Sequence, residues 1–309
     1  MRLLTLLALG ATLLLPTVAQ AEVPRVVATI KPIHSLVAAV MGDLGTPALI
    51  VKGGASPHTY SLKPSDAAAL EAADLVFWTG HGLELFLEDA LETLAVKAEV
   101  IQLVLNPGLE LLPVREGGAF EPHADEEEGH AEEAGHGETD MHFWLDPLNA
   151  TKLTAAIADA LAGADPEHGD TYFANAEAYN DDLRALTAEL DAALADVKAK
   201  PFIVFHDAFQ YFERRFGLSI VGSITVTPDS MPGAQRVGEL REKIKQSGVT
   251  CVFAEPQFQP AIVSTVIEGT GAKAGELDPE GANLDEGPGL YRQLLENVVA
   301  GLKQCLGDQ

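Results

Sequence analysis

Residues 165–201 read DPEHGDTYFANAEAYNDDLRALTAELDAALADVKAKP, and this stretch decides how the chain is organised. Asp165 and Pro166 make a helix-opening pair: an acceptor for the first free amides, then a ring whose fixed φ suits the first turn. Apolar side chains then recur at three- and four-residue steps, at Phe173, Ala176, Tyr179, Leu183, Leu186, Leu190, Leu194 and Val197, until Pro201 stops the pattern. The spacing predicts a helix over 165–200, and about thirty residues of helix span roughly 45 Å. A flexible linker would be rich in Gly, Ser or Pro; this segment is not, so it reads as a stiff connector.

On either side of it, short β-branched runs alternate with helical patterns. Strands are predicted at Val26–Ile30, Ala48–Val51, Leu75–Trp78 and Val100–Val104 before the connector, and at Phe202–His206, Ser219–Gly222, Cys251–Ala254 and Ala272–Glu276 after it. Helical stretches such as Pro64–Ala73, Pro147–Leu161 and Pro232–Gln246 fall between them. Alternation of this kind makes parallel sheets covered by helices. The expected fold is α/β with two lobes, 22–164 and 201–309, each a mostly parallel sheet flanked by helices, joined by the rigid helix 165–200.

Of 309 residues, 46 are acidic and 20 basic, a formal charge of −26. That argues against nucleic acid and anionic membranes as partners, since both are bound through Lys and Arg. Arg2, the uncharged run Leu3–Val18 and Ala19-Gln20-Ala21 read as a secretory signal peptide at 1–21, which predicts a periplasmic mature chain with no stable membrane insertion. In that compartment Cys251 and Cys305 are expected to pair as a disulfide.

One segment breaks the globular pattern. From 116 to 140, EGGAFEPHADEEEGHAEEAGHGETD holds ten acids, no base and three His. It has too little apolar surface to offset its ordering entropy and is expected to be a mobile loop. Its His123, His130 and His136, among carboxylates, suit weak auxiliary binding of divalent metal.

In open α/β sheets ligands bind beyond the carboxyl ends of the strands. Four side chains with metal affinity fall near such ends: His58 in SPHTYSLKPSD, His142 in MHFWLDP, His206 closing PFIVFH, and Asp278 in GELDPEG. The first two belong to one lobe and the last two to the other, so a site built from them lies in the interlobe cleft. Three imidazoles and one oxygen suit zinc, whereas calcium and magnesium take all-oxygen shells. Copper and nickel accept the same donors. Among the other His, His81 is placed at the rim of the cleft, His34 in packing and His168 on the surface. There is no GxSxG, HExxH or Walker loop, and Gly80-His81-Gly82 stops short of GxGxxG. Glu255 in FAEPQF is the one candidate base for a zinc hydrolase, with a hydrogen-bonded carboxylate at a strand end as the blander role.

In SPHTYSLKPSD, the His- and acid-rich insertion, HFWLDP, the long helix, FHDAFQYF, FAEPQF and LDP, occurring in this order, the chain resembles the periplasmic zinc-binding component (ZnuA type) of bacterial ABC importers, in the metal-binding cluster of solute-binding proteins. The resemblance implies ligands at His58, His142 and His206 with Asp278 at or near a fourth position, and a disulfide at Cys251 and Cys305. Relatives that resemble manganese importers carry a carboxylate where this chain has His206. Some zinc members have Glu before the first His; here that residue is Pro57, which leaves the fourth position to Asp278 or water. The expected function is capture of Zn²⁺, as transported ligand, and delivery to a membrane permease, by a monomer that catalyses nothing. A metal-binding adhesin, a periplasmic zinc buffer and a secreted zinc hydrolase are the rivals.

Overall fold

The computed structural model describes residues 23–115, 120, 139–225, 228 and 232–307. The signal-peptide reading at 1–21 and His123, His130 and His136 fall outside the described residues.

The first lobe runs β1 (Val26–Ala28), α1 (Lys31–Met41), β2 (Ala48–Leu49), α2 (Pro64–Ala72), β3 (Leu75–Trp78), α3 (Glu88–Leu94) and β4 (Glu99–Gln102). Then α4 (Pro147–Ala164) and α5 (Gly169–Ala193) lead to the second lobe: β5 (Phe202–His206), α6 (Gln210–Phe216), β6 (Ile220–Thr225), α7 (Ala234–Ser247), β7 (Cys251–Ala254), α8 (Ala261–Ile267), β8 (Lys273–Glu276) and α9 (Leu290–Leu306). All described strand pairs are parallel, in the orders β2-β1-β3-β4 and β6-β5-β7-β8. The two lobes therefore share one topology. In each, the chain crosses from one side of the first strand to the other, and the carboxyl end of that strand marks the crevice where a ligand fits.

Strand β5 shows why its sequence folds this way. Phe202 and Val204 point into the main core, while Ile203 and Phe205 point to the opposite face, against Ile224, Leu240 and Val252. Each such burial contributes about 1.5–3 kcal/mol, and an unbroken apolar run covered on both faces is what a parallel strand between two helical layers requires. The main core is continuous between the lobes: Ile33 and Leu36 of α1, Leu183 and Leu190 of α5, and Leu294 and Val298 of α9 belong to a single cluster. The Cys251–Cys305 disulfide ties β7 to α9 across a Cα–Cα distance of 6.1 Å.

The connector differs from its sequence reading in two respects. A short 3₁₀ turn, Pro166–His168, precedes α5, and the regular helix stops at Ala193, with turns filling 194–200. Its buried face carries Tyr172, Ala176, Leu183, Leu186 and Leu190, whereas Phe173 is 47% exposed. Tyr172 takes the buried place because it shares the helix face of Ala176, Leu183, Leu186 and Leu190, and its hydroxyl is satisfied there by donating to Asp165 Oδ2. Asp165 makes no side-chain cap to the 3₁₀ turn; His168 Nδ1 and Tyr172 hold its carboxylate instead, and His168 is partly buried rather than on the surface. No helix among the described residues is long and apolar enough to cross a membrane.

Candidate metal centre

His206 ends β5, the crossover strand of the second lobe, so its side chain stands at the crevice. Its backbone N–H and ring both meet Glu255, one residue past the neighbouring strand β7: the amide donates to Oε1 at 3.2 Å and Nδ1 lies 2.6 Å from the same oxygen. Both residues are almost fully buried. A carboxylate at Nδ1 fixes the proton there and turns Nε2 outward as a lone-pair donor.

His142 repeats the device in the first lobe. It caps the 3₁₀ turn Phe143–Leu145, its amide donates to Asp140 Oδ1 at 3.0 Å, and its Nδ1 lies 2.8 Å from that oxygen. The turn is held by Asp146, which accepts from Leu148 N at the start of α4 and is clamped from the second lobe by Arg215 at 2.7 and 2.6 Å. Thr139 and Asp140 depart from the expectation that 116–140 is a mobile loop. Its end is built in, with Thr139 bridged to Pro113 and Asp140 only 5% exposed.

His58 comes from the loop between β2 and α2. The Nε2 atoms of His142 and His206 are 3.2 Å apart, and the ring of His58 has its centroid 5.5 Å from each of theirs. One ring nitrogen from each of the three lies within 4.8 Å of the others. Three nitrogens at tetrahedral angles around zinc sit about 3.3 Å apart at Zn–N near 2.05 Å, so the pair in the two lobes already has the spacing the ion requires. The Nε2 of His58 is buried with no hydrogen-bond partner. An enclosed lone pair with nothing to accept from is costly, and a cation removes that cost.

The family model "Zinc-uptake complex component A periplasmic" matches residues 26–305. The chain belongs to this family. It is 50% identical over 304 residues to the high-affinity zinc uptake system protein ZnuA of Brucella abortus, covering 91% of each chain. Among solved structures, a ZnuA deletion mutant with zinc bound is similar at a TM-score of 0.75 and 26% identity, over 93% of this chain and 100% of that one. The laminin-binding protein Lmb of Streptococcus agalactiae, described as bifunctional with adhesin and metal-transporting activity, is similar at 0.74 and 29%, over 91% and 100%. The family is that of a periplasmic solute-binding component of zinc uptake.

Asp278 is not among the converging groups. Its Oδ1 accepts from Glu280 N, Gly281 N and Gln257 Nε2 at 2.9–3.0 Å, and its Oδ2 from Ala282 N at 2.6 Å. These bonds shape the 278–284 loop, which Lys31 of α1 grips by donating to the carbonyls of Gly281, Ala282 and Leu284 at 2.8–2.9 Å, while Trp144 Nε1 donates to Pro279 O at 3.0 Å. Asp278 thus shapes, from within the second lobe, the loop that Lys31 and Trp144 of the first lobe hold.

Two of the rings, His58 and His206, are shifted in opposite directions. Burial, followed by the neighbouring His206 and His142, holds His58 well below the ordinary imidazole value, so it is neutral. Burial is the largest single influence on His206 and works against its charge, but the carboxylates of Glu255, Asp207 and Asp140 together raise the ring above its usual value. The expected rim residue His81 does line the cleft, exposed and 2.8 Å from Glu88 Oε1. His34 is packed, its Nε2 3.0 Å from Pro47 O. Sequence reasoning assigned neither Asp140 nor Glu255 to the imidazoles. The Asp-x-His spacing at 140–142 was the available signal for the first; nothing local marks the second.

Proposed function

We propose that this chain is the capture subunit of a zinc importer, holding Zn²⁺ through Nε2 of His58, His142 and His206 in the cleft between lobes 22–164 and 201–309, and handing it, as a monomer, to a membrane permease. The observation that carries the reading is the convergence of three imidazole nitrogens, two of them backed by buried carboxylates. Imidazole donors with no carboxylate among them favour zinc over manganese. The lobes share a core and are bridged by Arg215–Asp146 and by Arg115 to Asp207 and Glu213, so loading shifts loops rather than swinging the lobes widely. Catalysis is not part of this reading. Glu255, the one candidate base, contacts His206 at Nδ1, on the side of the ring away from the Nε2 that faces His142, whereas a zinc hydrolase needs its carboxylate beside a metal-bound water.

His123, His130 and His136 serve in this reading as a weaker collecting segment. Zinc titration is expected to give one tight event, lost in His58→Ala, His142→Ala or His206→Ala, and weaker events lost on deleting 116–138. That deletion spares Thr139 and Asp140, and loss of the tight event with it would overturn the division of labour. Growth of an importer-deficient strain under zinc limitation, restored by the wild type and not by His206→Ala, distinguishes transport from adhesion or buffering.

A further inference from the structure

The three imidazoles leave one tetrahedral position to fill, and among the described residues no Asp, Glu, Cys or fourth His joins their cluster. They open onto a cavity of about 680 Å³, far more than one ion or one water occupies and within the range of roughly 300–1,000 Å³ typical of small-molecule sites. Its wall is mixed: Leu85, Val104 and Met141 give an apolar side, while Ser223 and Arg115 give polar atoms. Two features of that wall point to a ligand. Ser223 is fully buried in β6, beside Val204 and two residues before the strand's crevice end at Thr225, and its Oγ has no hydrogen-bond partner. Arg115, partly exposed and stacked on the Phe120 ring at 4.0 Å, uses three of its five N–H donors on Asp207 and Glu213, which leaves two N–H donors for a ligand oxygen.

We propose that the cleft binds zinc together with a small amino-acid-type chelator: a molecule whose nitrogen or carboxylate oxygen takes the fourth position on the ion and whose remaining polar groups reach Ser223 Oγ and the Arg115 guanidinium. This inference rests on the zinc reading above and names the form in which the ion is held. The chemistry is consistent on both sides. Zinc accepts N and O donors alike, so the amine or the carboxylate of such a molecule can take the single open position and leave the other group for the wall, and a carboxylate's negative charge is offset by the ion. A hydrocarbon face on the chelator would lie against Leu85 and Val104.

The test uses the full mature chain with free L-histidine as probe. Zinc alone is titrated first; failure there sinks the zinc reading itself. Native mass spectrometry of the zinc-loaded protein with millimolar histidine is then expected to show a complex carrying one zinc and one histidine, absent when zinc is omitted. The cobalt(II)-substituted protein is expected to change its visible d–d spectrum on addition of histidine, with saturation. Ser223→Ala is expected to weaken histidine retention about tenfold, the effect of losing one buried hydrogen bond to a charged group, with zinc affinity within about twofold of wild type. A spectrum that stays constant, a mass showing zinc alone, or histidine that simply strips the metal would each overturn the proposal. The cobalt measurement needs no variant, so it decides the matter even where Ser223→Ala fails to fold.

Discussion

Replacing Glu255 by Gln removes one negative charge from a buried pair while keeping an oxygen near His206 Nδ1, 2.6 Å away in the wild type. The ring keeps its orientation and loses its polarising partner. Loss of a carboxylate behind a metal-bound imidazole lowers affinity by about tenfold to a hundredfold, or about 1.4–2.7 kcal/mol. The deficit depends on pH in a direction fixed by the structure. Glu255 raises the affinity of His206 for protons, and a carboxylate behind an imidazole raises its basicity toward a metal in the same way. Above the titration of His206 the wild type has no proton to displace, and the full deficit of Glu255→Gln appears. Below it, the wild type must expel a proton that the variant binds less well, so the two affinities draw together. Competitive titration against a chromophoric zinc chelator from pH 5.5 to 8 measures this. A variant within twofold of wild type at pH 8, or a gap that widens as pH falls, would refute the coupling between Glu255 and the ligand. In the metal-free protein the same raised value stabilises the fold at low pH, and that contribution is lost as pH rises through the folded value; Glu255→Gln should flatten this part of the stability profile.

The disulfide joins residues 54 apart, and removing it as Cys251→Ala with Cys305→Ala is expected to lower stability by about 4 kcal/mol, read as a shift in the urea midpoint. Arg215→Ala leaves the buried Asp146 carboxylate with its cap to Leu148 but no cation; because Arg215 is partly exposed, the expected loss is about 2 kcal/mol, less than for a fully buried pair, and unfolding titrations should also show weaker coupling between the lobes. Gly301→Ala in α9 would gain up to about 1 kcal/mol of helix propensity, but its Cβ would meet the Glu276 carbonyl oxygen at 2.6 Å. Overpacking against backbone costs about 1–3 kcal/mol, so net destabilisation is expected in the same assay, and an unchanged midpoint would show that β8 gives way freely.

Much of this molecule is written locally. The unbroken apolar run Phe202–Phe205 defines a strand buried on both faces, and the residue that follows it, His206, must then lie at the crevice. The same holds for β3 and β7, whose bounds match the apolar runs, because strand and helix are selected by spacing over a few residues. His58, His142 and His206 could be nominated on that basis, each lying near a strand end or the exit of the insertion. The ends of α5 were less legible. Beyond Ala193 the apolar spacing continues through Leu194 and Val197, both buried, but in turns that lead into β5, and spacing alone does not separate a helix from a run of turns that buries the same residues.

What no local pattern contains is the choice of partner. Glu255 lies 49 residues from His206 and meets it only because β5 and β7 are neighbours in one sheet. Asp140 reads as the last of ten acids in a charged run, yet the fold buries it against His142. Asp278 has the chemistry of a ligand and is instead held by three backbone amides and Gln257 in the loop that Lys31 grips. Sequence thus determined which elements form and which side chains stand at their ends, since those depend on period and propensity within a few turns of chain. Tertiary structure alone decided which carboxylate faces which imidazole, because hydrogen bonds act over about 3 Å in space with no regard for distance along the chain.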